Sequence, residues 1–285
     1  MPTFELGPNQ YGKAETRLVR VERGADGDRL TDLNVSVALR GDLAASHLTG
    51  DNAAVLPTDT QKNTVYAFAR EFGVASIEAF AARLAEHFVA SQPSIHEARV
   101  AIQQYPWQSV DGRHSFRREG GEVRTATVHH GPHGTQVASG IGGLVLLKTT
   151  DSEFHGYLKD RYTTLPETRD RILATSVDAT WRCVEGFTDP RPAREALVEA
   201  FADTYSYALQ QTLFAMGSRV LERCPDVVEV KLSLPNRHHF LVDLAPFGLD
   251  NPNEVYYAAD RPYGLIEGVV RRDGAAVPEE VAWTF

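Results

Sequence analysis

Cysteine and methionine are nearly absent, with two of each in 285 residues. Cys183 and Cys224 stand far apart and form no C-x-x-C pair. A disulfide framework or a cysteine-based metal site is therefore disfavoured, and two idle thiols in a reducing compartment is the simpler reading. Long apolar runs are missing too. The longest, Ile141-Gly-Gly-Leu-Val-Leu-Leu147, falls far short of the roughly 20 residues of a membrane span. The opening residues, Met1 to Pro8, lack a basic segment followed by an apolar one. The end, Ala282-Trp-Thr-Phe285, lacks a peroxisomal tripeptide, so the expected setting is cytoplasmic. Positive charge is in deficit: 29 Lys and Arg against 38 Asp and Glu give a formal charge of −9. That balance argues against a nucleic-acid surface. It also requires that an anionic substrate be held by a local positive group, because the overall field opposes it.

What is present is ordinary for a globular chain: 42% hydrophobic and 24% charged residues. Two halves are legible, each running strands, helix, strands. In the first, Ala14 to Val21 and Asn34 to Arg40 are predicted to pair as a hairpin. Thr58-Asp59-Thr60-Gln61 has the form of a capping box. Helical segments follow over 61–71 and 77–88, separated by Gly73, with Phe80, Leu84 and Phe88 on one face. Strands are then expected over 98–104, 115–118 and 122–129. In the second half, 143–149 and 171–183 read as strands, and Asp189-Pro190 opens a helix. Its apolar face (Leu197, Phe201, Ala208, Thr212, Ala215) predicts a helix reaching Cys224-Pro225, roughly 50 Å long if unbroken. Segments 227–234 and 240–244 are expected to pair with each other. The joint is placed in the Gly/Pro/His-rich stretch 131–140, giving domains 1–135 and 136–285. Antiparallel strands carrying helices on one face make an α+β fold, and a single such sheet leaves open edges that oligomeric closure would remove.

The histidines invite a metal reading and do not support it. His129-His130-x-x-His133 and His238-His239 put neighbouring side chains on opposite faces of a strand, and no H-E-x-x-H set accompanies them. Exposed loop histidines is the preferred account of His129, His130 and His133. Gly140-Ile-Gly-Gly143 is followed by a strand-like run instead of a helix, so it offers no phosphate cradle. What remains is a dispersed polar set: Tyr11-Gly-Lys13, Thr58 to Thr64, Ser152-Glu-Phe154-His-Gly-Tyr157, Tyr162-Thr-Thr-Leu165 to Asp170-Arg171, Leu209-Gln210-Gln-Thr and Ser233-Leu-Pro-Asn236-Arg-His238. Residue by residue each has a bland account. Gln210 could be a core glutamine satisfied by backbone, Thr58 an N-cap, and Lys13 a solvated edge residue.

Taken together, and in this order along essentially the whole chain, these motifs closely resemble the urate oxidase family. The Ser-Leu-Pro-Asn-Arg-His and Tyr-Thr-Thr-Leu…Asp-Arg blocks carry most of the resemblance. Departures lie in the connection 185–194 and in the C-terminal tail. The resemblance implies two tandem ββααββ tunnelling-fold units per chain, with four subunits closing the sheets into a barrel. It implies oxidation of urate by O2 and water to 5-hydroxyisourate and hydrogen peroxide, without cofactor or metal. By motif, Arg171 would be the guanidinium clamp and Gln210 the amide pairing with the pyrimidine edge. Phe154 would stack on the ring, Leu165 and Leu209 line the pocket, and Asn236 hold dioxygen or peroxide above the purine. Lys13, Thr58 and His238 would form the proton relay, with Asp59 at the purine's other end. Lys13, Thr58 and Asp59 would come from one subunit and the rest from its neighbour. Two other readings stay open on sequence: a cyclohydrolase-like purine- or pterin-transforming enzyme, and a barrel that binds purines without turning them over. The glutamine at 210, where a glutamate is typical of cyclohydrolases, disfavours the first, and the relay set disfavours the second.

Overall fold

The computed structural model describes residues 4–259 and 261–275; the C-terminal tail read above for targeting lies outside these. Contacts divide the chain into two compact units, one ending at Gly140 and the other beginning at Ile141, with Glu185–Phe187 counted in the first.

In the first unit the order is β1 (Tyr11–Glu22), β2 (Arg29–Gly41), the short α1 (Ala44–Leu48), α2 (Thr58–Glu71), α3 (Ile77–Ser91), β3 (Ile95–Tyr105), β4 (Trp107–Ser109), β5 (Phe116–Arg118), β6 (Val123–Gly131) and the start of β7 (Gly134–Lys148). Strands β1, β2, β3 and β6 pair antiparallel in that spatial order. The period-two pattern of β2 explains its placement: Leu33, Val35, Val37 and Leu39 are buried on one face, while Asn34, Ser36 and Ala38 take the other. Helix α3 covers the buried face with Phe80, Ala81, Leu84, Ala85 and Phe88. Removing one such large side chain from water stabilises the unit by roughly 1.5–3 kcal/mol. Ser76 caps α3 by accepting from the Ala79 N–H at 3.1 Å.

The second unit carries the rest of β7, then β8 (Leu173–Cys183), α4 (Pro190–Asp203), α5 (Leu209–Arg223), β9 (Val227–Pro235), β10 (His238–Leu241), a 3-10 turn (Ala245–Phe247), β11 (Tyr256–Ala259) and β12 (Leu265–Arg271). Its sheet runs β7, β8, β9, β12. Leu209, Leu213, Met216 and Val220, at helical spacing, face β9 and β12 from α5. Gly217 permits this approach, because a Cβ there would lie 2.5 Å from Val270 Cγ2. Setting aside short additions, each unit follows the order ββααββ: β1-β2-α2-α3-β3-β6 and β7-β8-α4-α5-β9-β12.

Four local expectations are corrected. The helix after Asp189 starts as predicted, Asp189 accepting from the Arg191 N–H at 3.0 Å. It does not run to Cys224, however. It stops at Asp203: Thr204 and Ala208 are extended, and between them Ser206 pairs its backbone with Asp151 and Glu153 instead. Segment 227–234 does not pair with 240–244: β9 lies between β8 and β12, and β10 pairs with β11. Thr58 is not the N-cap of α2. That position belongs to Pro57, with no side-chain cap, and Thr58 is the first helical residue. His129 and His130 sit on β6, not on a loop, with His129 Nε2 3.4 Å from Glu97 and His130 Nδ1 2.7 Å from the Thr135 hydroxyl.

Candidate functional site

Within the first unit, Lys13, Thr58 and Asp59 are brought together by Tyr11. Its hydroxyl donates to the Leu56 carbonyl at 3.1 Å and accepts from the Leu56 N–H at 3.0 Å. This staples β1, two residues before Lys13, to the entry of α2, two residues before Thr58. Burial pushes the Tyr11 phenol up, so it stays a protonated donor. Lys13 is half-buried and is followed by a β-bulge: Ala14 and Glu15 together oppose Ser36. Glu15 takes φ 54 and donates its N–H to Ser36 Oγ at 3.0 Å. Such bulges re-aim the side chains beside them. Gly12 has no room for a side chain, since a Cβ would fall 1.8 Å from the Val37 carbonyl oxygen. A hollow of about 430 Å³ opens beside this stretch, with Tyr11, Gly12, Ala38 and Arg99 on its walls. Asp59 is exposed and accepts from Lys62 and, at 3.0 Å, from Asn63. The Lys62 ammonium holds its carboxyl below the ordinary range, with a smaller contribution from Lys13.

Within the second unit, Phe154, Arg171, Asn236 and His238 lie on a framework of short backbone pairings. Phe154 exchanges two backbone bonds with Thr168, at 2.8 and 3.0 Å. Its ring stacks on Tyr157 with centroids 4.8 Å apart and planes 16° from parallel. The Tyr157 hydroxyl in turn donates to the Leu165 carbonyl at 2.5 Å. The Arg171 Cζ lies 5.3 Å from the Phe154 ring centre. Arg171 donates its backbone N–H to the Ser152 carbonyl at 2.9 Å and its Nε to the Ser152 hydroxyl at 3.2 Å. None of the described residues takes the terminal guanidinium nitrogens. Burial lowers the Arg171 pKa, and a partly desolvated cation gains more from an anionic ligand than a solvated one. Asn236 is fixed by its N–H to the Gly264 carbonyl at 2.8 Å, while Thr175 donates to the Pro235 carbonyl at 3.0 Å. His238 opens β10. Burial first, then the charge of Arg171, then His239 hold its imidazole below the usual histidine pKa.

Leu209 and Gln210 occupy the first turn of α5. Leu209 is buried, and Gln210 is exposed instead of sitting in the core. The buried face of α5 runs through Leu209, Thr212, Leu213 and Met216, and at helical spacing Gln210 falls off that face. Leu165 is 52% exposed. Sequence reasoning missed Ser152, Ser206, Thr212 and Tyr157 as supports, although Ser152, Tyr157 and Thr212 fall within the quoted motifs. Among the described residues, no three His, Cys, Asp or Glu side chains are grouped to hold a metal ion, and no helix is long and apolar enough to cross a membrane.

Comparison with known proteins identifies the family. The family model described as Uricase matches residues 9–129 and 137–267. The chain belongs to the uricase family. It is 54% identical to the uricase of Arthrobacter globiformis over 95% of this chain and 91% of that protein. To the uricase of Dictyostelium discoideum it is 36% identical, over 93% and 96%. The crystal structure of the Arthrobacter globiformis uricase superposes with a TM-score of 0.93 at 52% identity, covering 97% of this chain and 98% of that one. A Bacillus urate oxidase at 22% identity, covering 93% and 100%, keeps the fold with a TM-score of 0.82. The α+β architecture of two tandem uricase units, with antiparallel sheets, follows. Family membership also decides against the cyclohydrolase-like reading.

Proposed function

We propose that the chain oxidises urate with molecular oxygen at sites completed between subunits of a homotetramer. The enzyme class follows from family membership and from 54% identity to a uricase over nearly the whole chain. The observation that carries the site assignment is the cluster around Arg171. A guanidinium held through Nε, with its terminal fork unclaimed among the described residues, lies against an aromatic ring and beside a histidine kept neutral. A planar fork suits two acceptors of a flat purine anion and neutralises it. Phe154 supplies the stacking face. Gln210, exposed at the start of α5, can donate and accept at the pyrimidine edge. Leu165 lines the pocket with its exposed side chain, Leu209, whose side chain is in the core, meets it through its backbone N–H, and Asn236 donates to the oxygen species above the ring.

The balance of the reaction is urate plus O2 plus water giving 5-hydroxyisourate plus hydrogen peroxide. Two electrons leave the purine and reduce dioxygen, so the protein's task is to bind, deprotonate and order the reactants. Lys13, acting through Thr58, removes the second proton from the bound anion, and Asp59 faces the purine's other end. Oxygen then adds to the ring as a peroxide, which leaves as hydrogen peroxide while water, guided by His238 and Thr58, takes its place. Lys13, Thr58 and Asp59 belong to the first unit and the remaining groups to the second. In our reading they meet across a subunit interface, which accounts for the exposure of Gln210 and Leu165 in one chain.

The test is direct. Purified protein incubated with urate should remove its ultraviolet absorbance, consume one O2 per urate and release one peroxide, before and after exhaustive chelation. Urate left unchanged refutes the activity, and loss of turnover on chelation refutes its metal independence.

A further inference from the structure

Ser152, Ser206 and Thr212 are each 0% exposed. Buried hydroxyls are unfavourable unless bonded, and these three are bonded in a way that leads to Arg171. Thr212, in the first turn of α5, donates to Ser206 Oγ at 2.8 Å. Ser206 is clipped by its backbone to the segment around Ser152: its N–H donates to the Asp151 carbonyl at 2.8 Å and its carbonyl accepts from Glu153 at 2.9 Å. Ser152 then accepts from Arg171 twice, through its carbonyl and through its hydroxyl.

We propose that Ser152, backed by Ser206 and Thr212, is the positioning element of the Arg171 clamp. It would fix the plane of the guanidinium and tie it to the helix that presents Gln210. The inference rests on the reading of Arg171 as the urate clamp. Its physical content is preorganisation. With Nε engaged, rotation about the last bonds of the side chain is restricted before urate arrives, so less freedom is lost on binding. The break between α4 and α5 has the same purpose, because an unbroken helix could not bring Ser206 to 151–153.

The experiment measures KM and kcat for urate, with thermal midpoints, for S152A, R171K, the S152A/R171K double variant, T212V and T212S. S152A should raise KM about tenfold, as expected for a lost bond to a charged group, with a smaller change in kcat. Lysine has no Nε–H fork to orient, so S152A should add less than about twofold in the R171K background. T212V, similar in shape without the hydroxyl, should shift KM in the same direction, and T212S should stay near the parent. The inference is overturned if S152A leaves KM unchanged, or raises it equally in the R171K background. Should S152A fail to fold, the T212V and T212S pair decides alone, and equal KM values for the two overturn it. If R171K keeps the parental KM, the clamp reading itself fails. An impaired R171K with a normal S152A refutes only the positioning role.

Discussion

The Arg171 guanidinium opposes protonation of the His238 imidazole, adding to the larger effect of burial. Neutral His238 can therefore accept a proton at pH 7 without already carrying one. The sign for stability follows. The unfolded chain protonates His238 near its ordinary pKa of about 6.5, and the folded chain only at lower pH. This residue thus withdraws stability as pH falls below that value and contributes nothing above it. Arg171→Gln removes one of the opposing charges and should raise the His238 pKa part of the way, leaving burial in place. NMR of histidine labelled with carbon-13, with His238→Gln supplying the assignment, measures it. A titration unchanged or lowered by Arg171→Gln would show that the two groups do not interact.

Gly12 is a backbone contact point next to Lys13. An added Cβ would meet the Val37 carbonyl oxygen at 1.8 Å. Because that neighbour is backbone, it cannot swing away, and β1 must shift where it delivers Lys13. Gly12→Ala should cost about 1–3 kcal/mol, the range for overpacking, and should lower kcat by more than the lost folded fraction explains. Gly121→Ala, with nothing within 4 Å of its added Cβ, is the control and should match the parent. A stable, fully active Gly12→Ala would mean that β1 is free to move without disturbing the reaction.

Much of the fold was legible in local pattern. The alternation of Leu33, Val35, Val37 and Leu39 marks a strand with one dry face, and the spacing of Phe80, Leu84 and Phe88 marks α3. The motif order also marked the family. What stayed hidden depends on partners distant in sequence. Thr204 to Ala208 has a helical pattern, but the backbone of Ser206 at its centre is claimed by Asp151 and Glu153, and no local signal reports that. The pairing of β9 with β12 across a long intervening segment is of the same kind. The bulge at Ala14 and Glu15 is invisible because glutamate is not a residue that announces φ 54. At Thr58 the capping-box letters were present, yet Pro57 holds the cap and Gln61 turns inward, its amide 3.3 Å from the Leu56 carbonyl.

That correction at Thr58 sharpens the test of a shared site. Thr58 does not cap α2, so Thr58→Ala should change stability by no more than about 0.5 kcal/mol, and any loss of activity reads on chemistry. Arg171→Ala removes the proposed clamp from the second unit. Each variant alone should be nearly inactive. If one site takes Thr58 from one subunit and Arg171 from another, a mixed pair holds one site with both lesions and one with neither. Dissociating and reassembling equal amounts of the two variants should then restore roughly a quarter of parental activity, as random pairing across a symmetric interface requires. Subunit exchange is verified by mass-tagging one variant and finding mixed oligomers. Were Thr58 and Arg171 of one chain to serve the same site, every site in the mixture would keep a lesion. Demonstrated exchange without recovered activity would thus place both halves of the site in one chain and leave the family assignment untouched.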